Sequence, residues 1–208
     1  MAIPRIEEYA GPINSSFPKN KVNWKVNPDE AVLLIHDMQD YFLDFFGQDS
    51  LQIKNLVKNI QDLKKECKRR GIKVIYSSQP DKQSVEDRGL LNDFWGKGID
   101  TAAHRKAITP LLAPDDDDIV ITKWRYSAFE RTNLKELLAE MHCSQIIITG
   151  IYGHIGCLQT ACHAFMMDIK PFLIGDCIAD FNLDSHQWTL DYVARNCGQV
   201  LTQDEVFS

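Results

Sequence analysis

Six short apolar runs rich in β-branched residues recur along the chain with helical patterns between them, and this alternation constrains the fold more than any other feature. The runs are Ala31 to Ile35, Ile72 to Tyr76, Ile119 to Thr122, Gln145 to Thr149, Pro171 to Ile174 and Gln199 to Leu201, each of strand length. The clearest helical pattern places Ile53, Leu56, Val57, Ile60, Leu63 and Cys67 at three- and four-residue spacings and stops at Gly71, so one face of that helix is core. Further helices are expected over about Asn133 to Met141, Gly156 to Met167 and Asp184 to Asn196, the last opened by a capping box between Asp184 and Gln187. Strands that alternate with helices are joined by crossovers. The expected fold is therefore α/β: a doubly wound, mainly parallel six-stranded sheet with helices on both faces, a Rossmann-like three-layer sandwich.

A chain of 208 residues with 44% hydrophobic and 25% charged content can close one sizeable core, so a single domain over 1–208 is expected, without internal repeat. Pro4, Pro12, Pro18 and Pro28 make residues 1–30 an extended arm. Gln79 to Ala103, with Gly89, Gly96 and Gly98, reads as a long functional loop with room for a helical turn. The formal charge of −6 is spread along the chain and the cations form no block, which argues against a nucleic-acid partner. No stretch reaches the roughly 18 apolar residues of a membrane span, and Met1 to Glu8 lack a signal-peptide core. No membrane partner and a cytoplasmic location are expected. Cys67, Cys143, Cys157, Cys162, Cys177 and Cys197 form no CxxC pair and are read as reduced thiols.

Open parallel sheets bind ligands beyond the carboxyl ends of their strands. Three strand ends carry unusual residues: His36 to Asp40 after the first, Lys123 to Tyr126 after the third, and Gly150 to Cys157 after the fourth. Alone, Asp37 reads as a helix cap and Lys123 as a solvated loop cation. Brought together at neighbouring strand ends, they would share a cleft and shift each other's pKa, as acid–base groups of active sites do. His36 points away from Asp37 if the strand alternation continues, and is read as structural. The run Asp115 to Asp118 lacks the spaced ligands and turn glycine of a calcium loop and reads as a solvated turn.

Four segments then carry a family resemblance: Leu33–Phe42 (LLIHDMQDYF), Leu90–Gly96 (LLNDFWG), Thr122–Phe129 (TKWRYSAF) and Ile148–Gly156 (ITGIYGHIG). In this order they resemble the isochorismatases of catecholate siderophore and phenazine biosynthesis, and the resemblance runs nearly end to end, from Met1 to Glu205. It implies an isochorismatase-like hydrolase fold and hydrolysis of the vinyl ether of isochorismate to pyruvate and 2,3-dihydroxy-2,3-dihydrobenzoate in siderophore formation. It also implies that Asp37 gives a proton to carbon, that Lys123 holds the pyruvyl group, and that the backbone at Gly156 adds a donor. Gln79, Arg88 and Tyr152 are similar to the family's substrate contacts, Phe42 and Trp95 wall the pocket, and the Ile151–Tyr152 bond is expected to be cis. No cofactor is implied. Metal-dependent members of the superfamily place His ligands between the first two motifs, and no His occurs from Tyr41 to Ala103, so no metal is expected.

The resemblance further implies a homodimer, and siderophore isochorismatases often continue into an aryl carrier domain that docks synthetase partners. No such domain is expected within this chain, so partnership with carrier proteins or non-ribosomal peptide synthetases is implied by resemblance alone. Three other readings stay open: a phenazine-type enzyme acting on 2-amino-2-deoxyisochorismate, a cysteine-dependent amidohydrolase, and a non-enzymatic interaction module. The wider superfamily's nucleophilic Cys stands six residues after the Gly of the strand-four turn, which from Gly150 lands on Gly156. Cys157 is next door but about 100° further round a helix, and is read as a core thiol. An acid must also hold a proton. Lys123 would lower the pKa of Asp37, whereas burial and two substrate carboxylates would raise it.

Overall fold

In a computed structural model of the chain, which describes residues 3–12, 16–47, 49–99 and 103–208, the sheet has six strands and every neighbouring pair is parallel. The elements run β1 (Ala31–His36), α1 (Asp40–Leu43), α2 (Leu51–Arg69), β2 (Lys73–Ser78), α3 (Val85–Arg88), α4 (Leu91–Trp95), α5 (Ala103–Lys106), β3 (Ile119–Thr122), α6 (Leu134–Glu140) and β4 (Gln145–Ile151). A π-helical turn (Gly153–Cys157) then leads into α7 (Leu158–Met166), followed by β5 (Lys170–Ala179), α8 (Leu183–Asn196) and β6 (Gln199–Leu201). Strand order is β3-β2-β1-β4-β5-β6. The chain winds outward from β1 through β2 to β3, then restarts with β4 on the other side of β1 and winds out to β6. The crevice beyond the carboxyl ends of β1 and β4 is therefore the topological switch point, where such sheets bind ligands.

The central strands are buried along their whole length, which is why they read as continuous apolar runs rather than alternating ones. Their alternate residues feed two cores. Leu33, Ile35, Val74, Tyr76 and Ile147 pack with Leu56, Ile60 and Leu63 of α2 on one face, and Val32, Leu34, Ile75, Ile146 and Ile148 pack with Leu138, Leu158, Ala161 and Leu190 of α6, α7 and α8 on the other. Each fully buried Leu or Ile contributes about 1.5–3 kcal/mol, so these two layers dominate the fold's stability. Helix α2 begins where the Ser50 hydroxyl accepts from the Ile53 amide, and Gly71 at φ 79° ends the segment.

Three local expectations change. The capping box at Asp184 does not form: α8 starts at Leu183, and the Asn182 side chain accepts from the Ser185 amide at 2.8 Å. Asp184 instead sits in the first turn, where a carboxylate complements the helix dipole. The loop after β2 holds two short helices, α3 and α4, rather than one turn. The extended arm carries no named helix or strand among its described residues, and it is fastened down. The Asn20 side chain donates to the Val200 carbonyl at 2.7 Å and accepts from its amide at 2.8 Å, occupying the edge of β6 that a further strand would otherwise seek. Residues 1, 2 and 13–15 of the arm and 100–102 of the loop lie outside the described residues. Among the described residues, no helix is long and apolar enough to cross a membrane, and the six cysteines are free thiols.

Candidate active site

The chain turns as soon as it leaves β1. Asp37 has φ 50°, in the left-handed region that few residues other than glycine adopt. Strand alternation therefore stops at His36, and the expectation that His36 and Asp37 point apart is overturned: their side chains line the same cavity, with His36 Nδ1 3.8 Å from Asp37 Oδ2.

Asp37 is held from neighbouring strand ends. Its Oδ2 accepts from Lys123 Nζ at 2.9 Å, just past β3, and from Gln79 Nε2 at 3.0 Å, just past β2. Its Oδ1 accepts from the Ser77 hydroxyl at 2.6 Å. Lys123 is only 2% exposed and Asp37 4%, and Lys123 also donates to the Arg125 carbonyl at 2.6 Å. Burial pushes the Asp37 carboxyl up, but Lys123 and the hydrogen bonds from Ser77 and Gln79 hold it below the ordinary carboxylate range. In the unbound site Asp37 is thus a carboxylate. Burial brings the His36 imidazole down to about 4, so it is neutral, and its Nδ1 lies 2.9 Å from the Ile151 carbonyl.

Two glycines let the second half of the sheet approach this pair. Gly150 has φ 105°, and a Cβ there would stand 2.1 Å from the His36 carbonyl oxygen. At Gly156 a Cβ would stand 2.2 Å from His36 Cε1. The imidazole fills the space a side chain at 156 would need, which gives a steric reason for glycine there.

Aromatic rings make the walls. Tyr152, joined to Ile151 through the expected cis bond, donates its hydroxyl to the Phe42 carbonyl at 2.8 Å and stacks on Phe46 with centroids 5.8 Å apart. Trp95 donates to the Tyr126 hydroxyl at 2.7 Å, and Phe181 meets the edges of Tyr152 and Trp95 with centroids 4.8 and 6.0 Å away. Arg88 ends α3 and is 4% exposed. Its Nε donates to the Gly96 carbonyl, while its Nη1 is buried without a hydrogen-bond partner among the described residues. Burial lowers its pKa, and no ion pair to it is found among those residues. Among the described residues nothing offsets this buried charge, and a buried cation is costly unless an anion pairs with it.

Asp37, Phe42, Gln79, Arg88, Trp95, Lys123, Tyr152 and Gly156 are all brought to this one cavity. His36, Ser77, Tyr126 and Phe181 belong to the site but were given no role in it from sequence: His36 was read as structural, and Tyr126 only as the end of the segment after the third strand. Ser77 had a weak signal, a polar residue in a buried strand directly across from His36. Phe181 had none, because Gly175 and Asp176 interrupt the apolar run that β5 continues to Ala179.

Cys157 is elsewhere. It is fully buried in the core facing α6, α7 and α8, with Sγ 4.0 Å from the Thr149 carbonyl, and burial pushes its thiol well up. A reactive cysteine needs the opposite environment. The acidic run is also more than a solvated turn: Lys68 Nζ lies 2.7, 2.7 and 2.8 Å from Asp115, Asp117 and Asp118, and Lys64 Nζ lies 2.7 Å from Asp118, whose side chain is 1% exposed. Those lysines from α2 neutralise the cluster and clamp the turn before β3.

A doubly wound parallel sheet with a buried acid–ammonium pair at its switch point is the class of protein that this fold and site define. Solved structures share the fold: a cysteine hydrolase from Pseudomonas syringae (TM-score 0.82, 23% identity, 91% of this chain and 95% of that one) and nicotinamidase PncA from Bacillus subtilis (TM-score 0.71, 20%, 82% and 98%). The chain belongs to the isochorismatase domain family, whose sequence profile matches residues 31–205. It is 51% identical over 206 residues to the isochorismatase of Bacillus subtilis, covering 99% of this chain and 66% of that one. It is 48% identical over 206 residues to enterobactin synthase component B of Escherichia coli (99% and 72%), and 40% over 204 residues to the phenazine biosynthesis protein PhzD1 of Pseudomonas aeruginosa (98% of each).

Proposed function

We propose that this chain hydrolyses the vinyl ether of isochorismate to pyruvate and 2,3-dihydroxy-2,3-dihydrobenzoate, by general-acid protonation of carbon and without a covalent nucleophile, in catecholate siderophore formation. The observation that carries the reading is the Asp37–Lys123 pair in an aromatic cavity where position 156 offers no side chain. Asp37 gives its proton to the terminal methylene, and the pyruvyl carbon becomes an oxocarbenium. Water adds there, and the hemiketal collapses as its hydroxyl proton passes to the departing ring oxygen. Lys123 and Arg88 supply two cations for a dianionic substrate. Once Lys123 turns to a substrate carboxylate its hold on Asp37 weakens, and the incoming negative charge raises the carboxyl's proton affinity. On the same reading the enzyme works in the cytoplasm as a homodimer, with neither metal nor cofactor, and 1–208 forms one domain. Oxidation of its product would give an aryl acid for a siderophore, so carrier-protein or synthetase partners belong to the same proposal.

The test is pyruvate release from isochorismate and from 2-amino-2-deoxyisochorismate. Greater identity to the isochorismatase and enterobactin relatives than to the phenazine one favours the hydroxyl substrate. A larger kcat/KM for the amino compound would assign the chain to the phenazine type, and no pyruvate from either would end the hydrolytic reading.

Two further outcomes follow from the charges. Because kcat/KM reports the free enzyme, and Asp37 there is held low, the protonated fraction falls about tenfold per pH unit; kcat/KM should fall with unit slope from about pH 6 to 8. A flat profile over that range would remove Asp37 as the donor. Arg88→Ala should raise KM roughly 10- to 100-fold with little change in kcat, the usual worth of one charged hydrogen-bonding contact. Unchanged kcat and KM would deny Arg88 a substrate role.

A further inference from the structure

We infer that Cys162 and Cys197 form a peroxide-reactive thiol pair, in which Cys162 is oxidised first and Cys197 then closes a disulfide that ties α7 to the end of α8. The pair lies at the second core, away from the active-site cavity, and the inference is independent of the hydrolytic reading above.

Cys162 lies in the middle of α7 and is half-buried, and Cys197 caps the C-terminus of α8 and is 6% exposed. Their sulfurs stand 3.7 Å apart, in hydrogen-bond contact. Both main chains are fixed: Cys162 is inside a helix, and the Cys197 amide donates to the Val193 carbonyl at 3.1 Å. The remaining closure, to the about 2.0 Å of a bond, falls to side-chain torsion.

Exposure and hydrogen bonding give the two thiols different parts. Oxidation needs a thiolate that solvent can reach. The hydrogen bond shared with Cys197 lowers the Cys162 pKa, whereas that bond and burial raise Cys197. Burial also raises Cys67, Cys143, Cys157 and Cys177. Among the described residues, which include all six cysteines, only Cys162 combines a lowered pKa with access to solvent.

The chemistry needs one oxidant, a hydroperoxide. The Cys162 thiolate attacks an oxygen of hydrogen peroxide, the O–O bond breaks, and the sulfur becomes a sulfenic acid as hydroxide leaves and takes up the proton that Cys162 had released. Cys197 then loses its proton and its sulfur attacks that of Cys162, expelling a second hydroxide that leaves with this proton as water. Two thiols and one peroxide give one disulfide and two waters. The bond closes a loop that holds β5 and α8, which removes freedom from the unfolded chain. Tm should rise by about 5–15 °C.

The test treats the reduced full chain with an equimolar amount of hydrogen peroxide and maps its peptides by mass spectrometry. The protein should become two hydrogens lighter through a single Cys162–Cys197 link, and dithiothreitol should reverse it. Cys197→Ser should stop at the sulfenic acid, trapped by dimedone on Cys162. Cys162→Ser should react at least about tenfold more slowly, because one pKa unit changes the thiolate fraction tenfold. Links between other cysteines or between separate copies, or no link, would overturn the inference. A link that forms with Tm unchanged or lowered would show that the two helices do not stand where the bond needs them, and would overturn it too. If Cys197→Ser does not fold by circular dichroism, dimedone added to the parent together with the peroxide reads the order of attack: an adduct on Cys162 supports the assignment, and one on Cys197 overturns it.

Discussion

Asp37→Asn should abolish turnover while the fold and substrate binding survive. Asn is nearly isosteric, and it is among the few residues that tolerate φ 50°. Its amide can also be satisfied where it stands: the carbonyl oxygen turned toward Lys123 and Gln79, which only donate to this site, and the NH₂ toward Ser77 Oγ, which can accept. What it cannot do is deliver a proton to carbon. A positioned general acid contributes about 10² to 10⁴ in rate, so kcat should fall by at least the lower figure. Binding should tighten, because the buried Lys123 then has no carboxylate partner among the described residues and a substrate carboxylate becomes its counterion. Calorimetry and single-turnover kinetics on the variant read both effects. Turnover within about tenfold of the parent would exclude Asp37 as the essential donor.

Gly156→Ala is the second large effect, and it reports on packing. The added methyl would stand 2.2 Å from His36 Cε1, and the ring has nowhere to retreat because it is fully buried and tied to the Ile151 carbonyl. Overpacking of this kind costs about 1–3 kcal/mol. For a chain of this length that lowers Tm by roughly 2–4 °C per kcal/mol. Activity should fall further than stability alone explains, since the ring that must move borders the acid. Pairing the change with His36→Ala, which makes room, should restore most of the Tm. A single variant with parental Tm and kcat would show that the imidazole does not fill this space. By the same geometry Gly156→Cys should not create an amidase, because its sulfur would need the volume that His36 occupies.

How much of this was legible in the sequence depended on whether a feature is local. The central strands were readable because burial on both faces leaves uninterrupted apolar runs, as in Ala31–His36 and Gln145–Ile151. Asp37 and Lys123 were readable because a parallel sheet delivers its strand ends to one side, so two polar residues distant in sequence are forced together. That His36 and Asp37 face the same cavity was missed because the direction of Asp37 depends on its one unusual backbone angle, which residue type permits but does not announce. The full length of β5 was missed because Gly175 and Asp176 break the pattern, and Phe181 was lost with it. The cap at Asn182 lost to Asp184 in reading because two competent caps stand two residues apart, and only the helix's actual first turn at Leu183 decides between them. That Arg88 is buried, with no ion pair among the described residues, is a tertiary fact that no local pattern carries.

Protonation at the methylene makes the pyruvyl carbon the electrophile, and this is the claim on which the account turns. It predicts which bond to oxygen breaks. In a single turnover in water enriched in heavy oxygen, quenched before ketone exchange, the label should appear in the carbonyl of pyruvate, and the 2,3-dihydroxy-2,3-dihydrobenzoate should keep the oxygen it had in the substrate. Label in the ring product, with unlabelled pyruvate, would mean that water attacked the ring carbon, and an acid that protonates the vinyl group would have no part in the reaction.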